Sequence, residues 1–342
     1  MQNVGNFNAK PIASSDSKGF TQFTMDDAGI ASGGAFLSSE LEKRDPLIRQ
    51  PLKSLTYPRD INVKVGGGWV DFTSALSVSY GVTGGSKEGV VAAGGANGLP
   101  IVQASMDKGL FKAHNFAVAL RIMFIDMQKA NFIGRSLDQL LQEGVRLTYD
   151  KHMDANVYVG IEDFGTTGLV NNPDVVETTV AENGQTSPST KWVDKTQEQI
   201  LADINNAITQ VWAQSDYDES AIPNHIIMPY EQYNYLVATP SSTIMNGTIM
   251  DFIRKSNVAA ENGGSLFIGG TKWCKGAGTA SADRMVVYVN HERFVKVEEL
   301  VPLTKAMTQP NAANFCYDTA YAANISEVEL YYPTSIGYFD GI

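Results

Sequence analysis

The fold is decided by residues 326–342, which read Ser-Glu-Val-Glu-Leu-Tyr-Tyr-Pro-Thr-Ser-Ile-Gly-Tyr-Phe-Asp-Gly-Ile. In the first half of this stretch, Val328, Leu330 and Tyr332 alternate with Glu327, Glu329 and Tyr331. A period of two is typical of a strand that buries one face and leaves the other in water. We therefore predict a half-buried closing strand that is tied into a sheet and belongs to the architecture.

The length and composition indicate a folded protein with more than one domain. The chain has 342 residues, and a single hydrophobic core usually stops growing at about 250–300 residues. We therefore expect two domains plus extensions. Hydrophobic residues make up 43% of the chain and charged residues 18%, which excludes a disordered protein. The formal net charge of −11 argues against a dedicated nucleic-acid binder, but it is compatible with a wall that only encloses nucleic acid.

Cysteine usage and apolar patterning bear on the cellular compartment. Cys274 and Cys316 are the two cysteines, and they form no CxxC pair. This pattern excludes a disulfide framework and a thiolate metal site, and it fits a reducing compartment. No apolar run reaches the roughly 18 residues needed to span a membrane, and residues 1–30 lack the basic-then-apolar order of a signal peptide. We expect cytosolic synthesis and no membrane partner.

Two segments of the first third have too few apolar residues to fold by themselves. Residues 1–35 are rich in Asn, Ser, Gly and Asp, which is typical of a flexible arm that a neighbouring molecule must order. Residues 61–115 contain strand patterns at 61–65 and 72–80, followed by repeated glycines from Gly81 to Gly98. This pattern predicts a long, glycine-punctuated β-hairpin. Because a two-stranded hairpin is marginally stable in water, we expect it to lie on another surface.

The remaining chain alternates between helices and strands. Residues 116–124 predict a strand and residues 126–132 a short helix. Ser136 and Gln139 form a capping-box pattern that opens a long helix over 136–155. A turn-rich segment follows at 160–173. Beyond residue 190 the pattern is α/β: a helix capped by Asp194 or Thr196, a buried strand at 225–228, a helix with Pro229 in its first turn, and strands at 285–289 and 294–297.

A search for catalytic or ligand-binding motifs finds none. The segments 84–88 and 269–272 fail the spacing of a phosphate-binding loop. The histidines His114, His152, His225 and His291 lie in no short metal-ligand pattern. His152 lies near the end of the predicted long helix, where a cation would interact favourably with the helix dipole. We predict no catalytic, cofactor-binding or metal site, and no cofactor.

The order of these parts resembles the major capsid proteins of tailed phages, which have the Hong Kong 97-type capsid fold. The resemblance covers about residues 36–342, and its most specific parts are 160–173, the helix at 194–212 with Ile226-Ile227-Met228-Pro229, and 327–341. It implies an α+β protein with four parts. These are an N-terminal arm (1–60), an extended β-hairpin loop (61–115), a peripheral domain (116–190 and 301–342) with a spine helix at 136–155, and an α/β axial domain (191–300). The closing strand would pair near the spine helix.

The function that this resemblance implies is structural and not enzymatic. The chain would self-assemble as hexamers and pentamers into an icosahedral phage head, the virion shell around double-stranded DNA. Scaffold, portal and decoration proteins are further candidate partners. The predicted subunit-interface residues are those of the loop: Gly84, Gly85, Ser86, Lys87, Glu88, Gly89, Val90 and Val91. Three alternatives stay open at this point: an encapsulin shell with protein cargo, a soluble α/β enzyme with an unrecognised site in 191–300, and a tail or decoration protein.

Overall fold

A computed structural model describes residues 54–83, 101–133, 137–241 and 247–342. These residues belong to a compact unit that spans Lys53–Ile342. The predicted arm up to residue 53, the loop residues 84–91 and the predicted cap Ser136 lie outside the described residues. The division into arm, loop, peripheral domain and axial domain stays a prediction.

The described chain is a mixture of helices and strands, as the predicted α+β class requires. The helices are α1 (Tyr57–Asp60), α2 (Phe124–Ile133), α3 (Leu137–Tyr158), α4 (Gln197–Gln214), α5 (Tyr230–Ala238), α6 (Ile249–Lys255) and α7 (Val258–Glu261). The strands are β1 (Val63–Val65), β2 (Phe72–Thr83), β3 (Ile101–Met123), β4 (Val176–Thr179), β5 (His225–Pro229), β6 (Phe267–Thr271), β7 (Arg284–Tyr288), β8 (Val295–Asn311), β9 (Cys316–Ser326), β10 (Glu329–Leu330) and β11 (Ile336–Asp340).

The first sheet joins two long hairpins through strand β3. Its order is β1-β8-β9-β3-β2, with β10 paired to β8. The first half of β3 pairs antiparallel with β2, from Ile101 opposite Thr83 to Lys112 opposite Phe72. The second half, from residue 113, pairs antiparallel with β9. The predicted hairpin is therefore confirmed for 72–83 and 101–112, whereas the strand predicted at 61–65 is β1, which pairs parallel with β8. The separately predicted strand at 116–124 is the continuation of the same 23-residue strand β3.

The second sheet lies between two hydrophobic cores. Its order is β4-β11-β7-β5-β6. On one face, side chains of β5, β7 and β11 pack with Met153, Val157 and Tyr158 of α3. On the other face, alternate side chains of the same strands pack with Ile204 and Ile208 of α4. Because both faces are covered, the strands read as continuous apolar runs, and all five residues of β5 and of β7 are buried.

The closing strand differs from its prediction in pattern and in partners. The pairing after residue 326 is interrupted: β10 has two residues, a 3-10 turn follows at Pro333–Ser335, and β11 then begins. Glu329 is buried and Tyr332 is exposed, so the predicted half-buried alternation is wrong. β11 does return beside α3, because Ile336 and Tyr338 pack in the α3 core. Its hydrogen-bonded neighbours, however, are β4 and β7 of the α/β sheet.

The predicted helices are confirmed, with shifted ends. α3 runs to Tyr158, three residues past the predicted end. Thr196, rather than Asp194, caps α4 in a capping box with Gln199. Pro229 is the last residue of β5 and precedes the first residue of α5 instead of lying within its first turn. The strand predicted at 294–297 is the start of β8, which continues to Asn311. The outer half of β8 is largely exposed.

Candidate self-assembly surface

The β2–β3 hairpin presents an apolar face to solvent. In an antiparallel pair, residues directly opposite each other point to the same side of the sheet. Leu76 pairs with Lys108, Val78 with Met106 and Tyr80 with Ala104. The large apolar side chains on this side of the hairpin, called the apolar face below, are Phe72, Leu76, Val78, Tyr80, Val102, Met106 and Leu110, with Ser74, Ala104 and Lys108 among them. The exposed fractions of the large apolar side chains lie between 41% for Val78 and 76% for Tyr80.

The opposite face of the same hairpin carries mainly small and polar side chains, with the exposed Ile101 opposite Thr83. There Ser77 pairs with Asp107 and Ser79 with Ser105. A hairpin with one apolar and one polar face is built to lie with its apolar side on another surface. Nothing in the described chain covers that side, because six of its seven large side chains are more than half exposed. The apolar face is therefore a candidate surface for association.

A buried polar network fixes the hairpin at its root. Thr73 Oγ1 donates a hydrogen bond to Glu329 Oε1 at 2.5 Å, and Lys296 Nζ lies 3.4 Å from Glu329 Oε2. Tyr331 also donates to Glu329, and Lys296 forms a 2.5 Å ion pair with Glu298. Burial, and after it the hydrogen bond to Glu329, raise the pKa of the Tyr331 phenol to about 12. The network stays paired at neutral pH and joins β2 to β8 and β10.

Further contacts at the root hold β3 against the rest of the domain. Asn324 Nδ2 donates to the carbonyl oxygen of Val70 at 2.8 Å, and the Phe111 ring meets that of Tyr331 edge-on at 5.4 Å. Lys112 Nζ donates to the carbonyl oxygen of Phe164, in the turn after α3, at 3.0 Å. The root of the hairpin is thus tied to three separate elements, and this geometry lets the outer part project without a core of its own.

An apolar groove lies at the opposite end of β3. It is lined by Phe124, Ile125, Gln128, Lys129 and Phe132 of α2 and by Phe315 from the turn between β8 and β9. Its volume is about 510 Å3. The Phe132 side chain is 94% exposed, and the Phe124 and Phe315 rings lie 5.0 Å apart. This groove is a second exposed apolar surface within the described part of the chain.

The interface predicted from the sequence, at Gly84 to Val91, does not include the residues of the apolar face. The predicted interface residues, Gly84 to Val91, lie outside the described residues, so their role stays a prediction. The apolar face was missed, although its signal is in the sequence: residues 72–80 alternate, and residues 102–110 alternate in matching register. The groove was missed because Phe315 and α2 are almost two hundred residues apart in the chain.

The described residues bring no catalytic constellation together. Over 54–83, 101–133, 137–241 and 247–342, no three His, Cys, Asp or Glu side chains converge in a way that could hold a metal ion. Cys274 and Cys316 are both buried and free, and burial raises the pKa of the Cys274 thiol. Burial lowers the pKa of His225 to about 4, although Asp60 lies 3.9 Å away. The helices of the described chain include none with the length and apolar character of a membrane span.

His152 occupies a different environment from the predicted one. It lies six residues before the end of α3, packed against Phe116, and its Nε2 lies 3.4 Å from His114 Nε2. Burial lowers its pKa. A cation near the end of the helix would interact favourably with the helix dipole, but this side chain faces the protein interior, where a charge is disfavoured.

Comparison with known proteins gives one family and one fold. The family described as "Major capsid protein" matches residues 88–342. No curated sequence matches the chain. Among solved structures, the capsid of the Myoviridae phage XM1 is similar with a TM-score of 0.72 and 16% identity, over 89% of this chain and 98% of that chain. The capsid of a native GTA particle has a TM-score of 0.59 at 11% identity, over 93% and 99% of the two chains.

A virus-like particle from Pyrococcus furiosus is also similar, with a TM-score of 0.50 and 10% identity over 83% of this chain and 91% of that chain. At these identities the structures show a shared fold, and the match to residues 88–342 shows the family. The recognised resemblance is thereby confirmed, with the capsid function favoured over the encapsulin alternative. The chain belongs to the major capsid protein family and has the Hong Kong 97-type fold.

Proposed function

We propose that the chain self-assembles, as hexamers and pentamers, into a closed icosahedral shell around the double-stranded DNA of a tailed phage. The observation that carries this proposal is the apolar face of the β2–β3 hairpin, which is exposed to solvent while the hairpin is anchored at its root. In a shell, this face and the loop residues Gly84–Val91 lie on the peripheral domain of a neighbouring copy, with the N-terminal arm (1–60) beneath them.

The energetics favour repeated contacts over a single strong one. Burial of apolar surface contributes roughly 25 cal/mol per Å2 before the cost of association. A hairpin face alone therefore gives a modest pairwise energy. Closed symmetry repeats the same contact many times, so that weak pairwise contacts add up to a stable particle. The apolar groove at Phe124, Phe132 and Phe315 offers a further surface for copies of the same chain.

The finer parts of the proposal concern the partners. The shell holds its DNA by confinement rather than by affinity, because the net charge of −11 opposes binding to phosphates. The chain acts without catalysis and assembles in the host cytoplasm. Scaffold, portal and decoration proteins are the partners that such a shell requires for its size, its DNA entry and its outer surface.

The test is assembly of the full chain and of two charge variants on opposite faces of the same strand. Leu76→Asp/Val78→Asp places two charges on the apolar face, and Ser77→Asp/Ser79→Asp places two charges on the polar face. We expect wild type and the polar-face variant to form megadalton shells or capsomer-sized rings, measured by light scattering and negative-stain imaging. The apolar-face variant should stay small, because its charges cannot be buried on a neighbour.

The two variants are matched in charge, in strand and in distance from the root, and both also carry Asp107→Asn, which removes the carboxylate directly opposite residue 77. Circular dichroism should show the same fold for both, since all four side chains point away from the cores. A stable wild-type monomer near 37.1 kDa would contradict the proposed function. Equal assembly of both variants would contradict the role of the apolar face.

A further inference from the structure

Two histidines face each other at the root of the hairpin. His114 lies on β3 two residues after the last pair with β2, and His152 lies on α3. Their Nε2 atoms are 3.4 Å apart, and the two rings meet edge-on with centroids 5.5 Å apart. His114 is 6% exposed. This contact joins the strand that carries the hairpin directly to the long helix.

The surroundings of the pair are aromatic. The Phe164 ring stacks 5.8 Å from His114, and Phe116 lies 5.1 Å from His152. His114 Nδ1 is buried without a hydrogen-bond partner. An imidazole in such a place is stable when it is neutral, because a buried positive charge here would lose its hydration without gaining an acceptor.

Charged groups on the neighbouring elements are engaged elsewhere or exposed. Lys112 on β3 binds the carbonyl oxygens of Phe164 and Gly165, and Glu327 accepts a hydrogen bond from the Lys112 amide. On α3, Lys151 is exposed, and Asp154 accepts hydrogen bonds from Thr56 and Trp273. On β8, Glu299 accepts a hydrogen bond from Tyr149. In the turn after α3, Glu162 and Asp163 are exposed. The nearest titratable partner of each histidine is therefore the other histidine.

We propose that the His114–His152 contact is a pH-sensitive latch, which holds the root of the hairpin on α3 at neutral pH and releases it in acid. A single hydrogen can lie between the two Nε2 atoms while both rings are neutral. A further proton on Nδ1 of either ring would place a positive charge among the aromatic rings, and protonation of both rings would place two N–H groups in the same 3.4 Å gap. The latch rests on the geometry of the root. An effect of its release on contacts between subunits would rest, in addition, on the proposed function.

The direction and pH window follow from the pKa values. Burial, followed by repulsion from His152, lowers the pKa of His114 to about 4, whereas an exposed histidine has a pKa of about 6.5. Between these values the open state binds more protons than the closed state, so the closed state is fully favoured above pH 6.5 and loses stability as the pH falls toward 4. At pH 5.0 the opening equilibrium should be about 30-fold larger than at pH 7.5.

The test is hydrogen exchange of the full chain at pH 7.5 and pH 5.0, corrected for the intrinsic exchange rate and read by mass spectrometry. Peptides from 113–123 and 149–158 should lose protection by about 30-fold in the wild type. His114→Phe, which keeps an aromatic ring between Phe164 and His152, should remove most of this loss. His291→Gln, at an exposed histidine, is the matched control and should behave as wild type.

A second variant covers the case in which His114→Phe does not fold. In His152→Glu a carboxylate faces His114 and favours its protonated form, so the acid-dependent loss should be smaller than in wild type. Unchanged wild-type protection at pH 5.0, or an equal loss in His114→Phe, would overturn the latch. Because exchange is read at the root whatever the particle mass, a failure to assemble would count against the proposed function and not against the latch.

Discussion

At the scale of single residues, the α/β half of the molecule depends on charges that are buried in pairs. Lys195 Nζ lies 2.5 Å from Asp203 Oδ2, and the two side chains are 1% and 5% exposed. Trp192 Nε1 donates to the same carboxylate oxygen at 3.1 Å. Burial raises the pKa of Asp203 even though both partners favour its ionised form. The carboxylate is therefore tolerated in this place only with its partners present.

Removal of one partner should cost far more than removal of the pair. We expect Lys195→Met to lower the free energy of unfolding by about 3–5 kcal/mol, because Asp203 would be left buried and unpaired. The double variant Lys195→Met/Asp203→Leu should recover most of that loss. Lys275→Met, which breaks the exposed pair of Lys275 with Glu231, should cost far less, because water screens that pair. Urea denaturation measures the free energy of unfolding of all three variants. Equal losses for Lys195→Met and Lys275→Met would refute the special role of the buried pair.

At the scale of elements, the end of α3 is fixed by a glycine turn. The segment after the helix folds back on it, with the amide of Leu169 bonded to the carbonyl oxygen of Val157 and that of Val170 bonded to Tyr158. At Gly168 a Cβ atom would lie 2.3 Å from the backbone of Tyr158. The chain can fold back onto the end of α3 because Gly168 has no side chain.

Two alanine substitutions in and after α3 should have opposite effects. Gly168→Ala should destabilise the domain strongly, by more than about 2 kcal/mol, because backbone would have to move. Gly144→Ala, in the exposed interior of the same helix where nothing lies within 4 Å, should stabilise it by about 0.5–1 kcal/mol. Thermal unfolding compares the two, and a neutral Gly168→Ala would show that the turn can relax.

The sequence predicts elements better than it predicts their partners. The helices α3 and α4 and the strand β5 follow from local apolar spacing and from caps such as Thr196 with Gln199. The partners of β11 do not, because a strand covered on both faces carries no alternation that could indicate its neighbours. The root of the hairpin is equally hidden, since Thr73 meets Glu329 only after 256 residues. Its apolar face could have been derived once the pairing register was known.

At the scale of the whole molecule, the net charge distinguishes a protein that encloses DNA from one that binds DNA. The chain carries 37 acidic and 26 basic residues. Affinity for DNA comes mainly from the neutralisation of phosphates by basic side chains. Under the proposed function, an acidic shell subunit would therefore enclose DNA without binding it tightly.

Purified protein should bind double-stranded DNA weakly, with a Kd above roughly 10 µM at physiological salt and a shallow dependence on salt concentration. A filter-binding titration from low to physiological salt measures both quantities. The apolar-face variant Leu76→Asp/Val78→Asp is the control that separates binding by single subunits from trapping inside particles. Tight binding with a steep salt slope would contradict containment without affinity.

The place of β11 also sets an order for events during synthesis. The strand at Ile336–Asp340 lies between Val176–Thr179 and Arg284–Tyr288, so the ribosome delivers it long after one neighbour and well after the other. The β2–β3 hairpin has both strands close together in the chain, but its root is held by Glu329, which is also made late. The sheet that contains β11 and the root of the hairpin can therefore be completed only after almost the whole chain has been made.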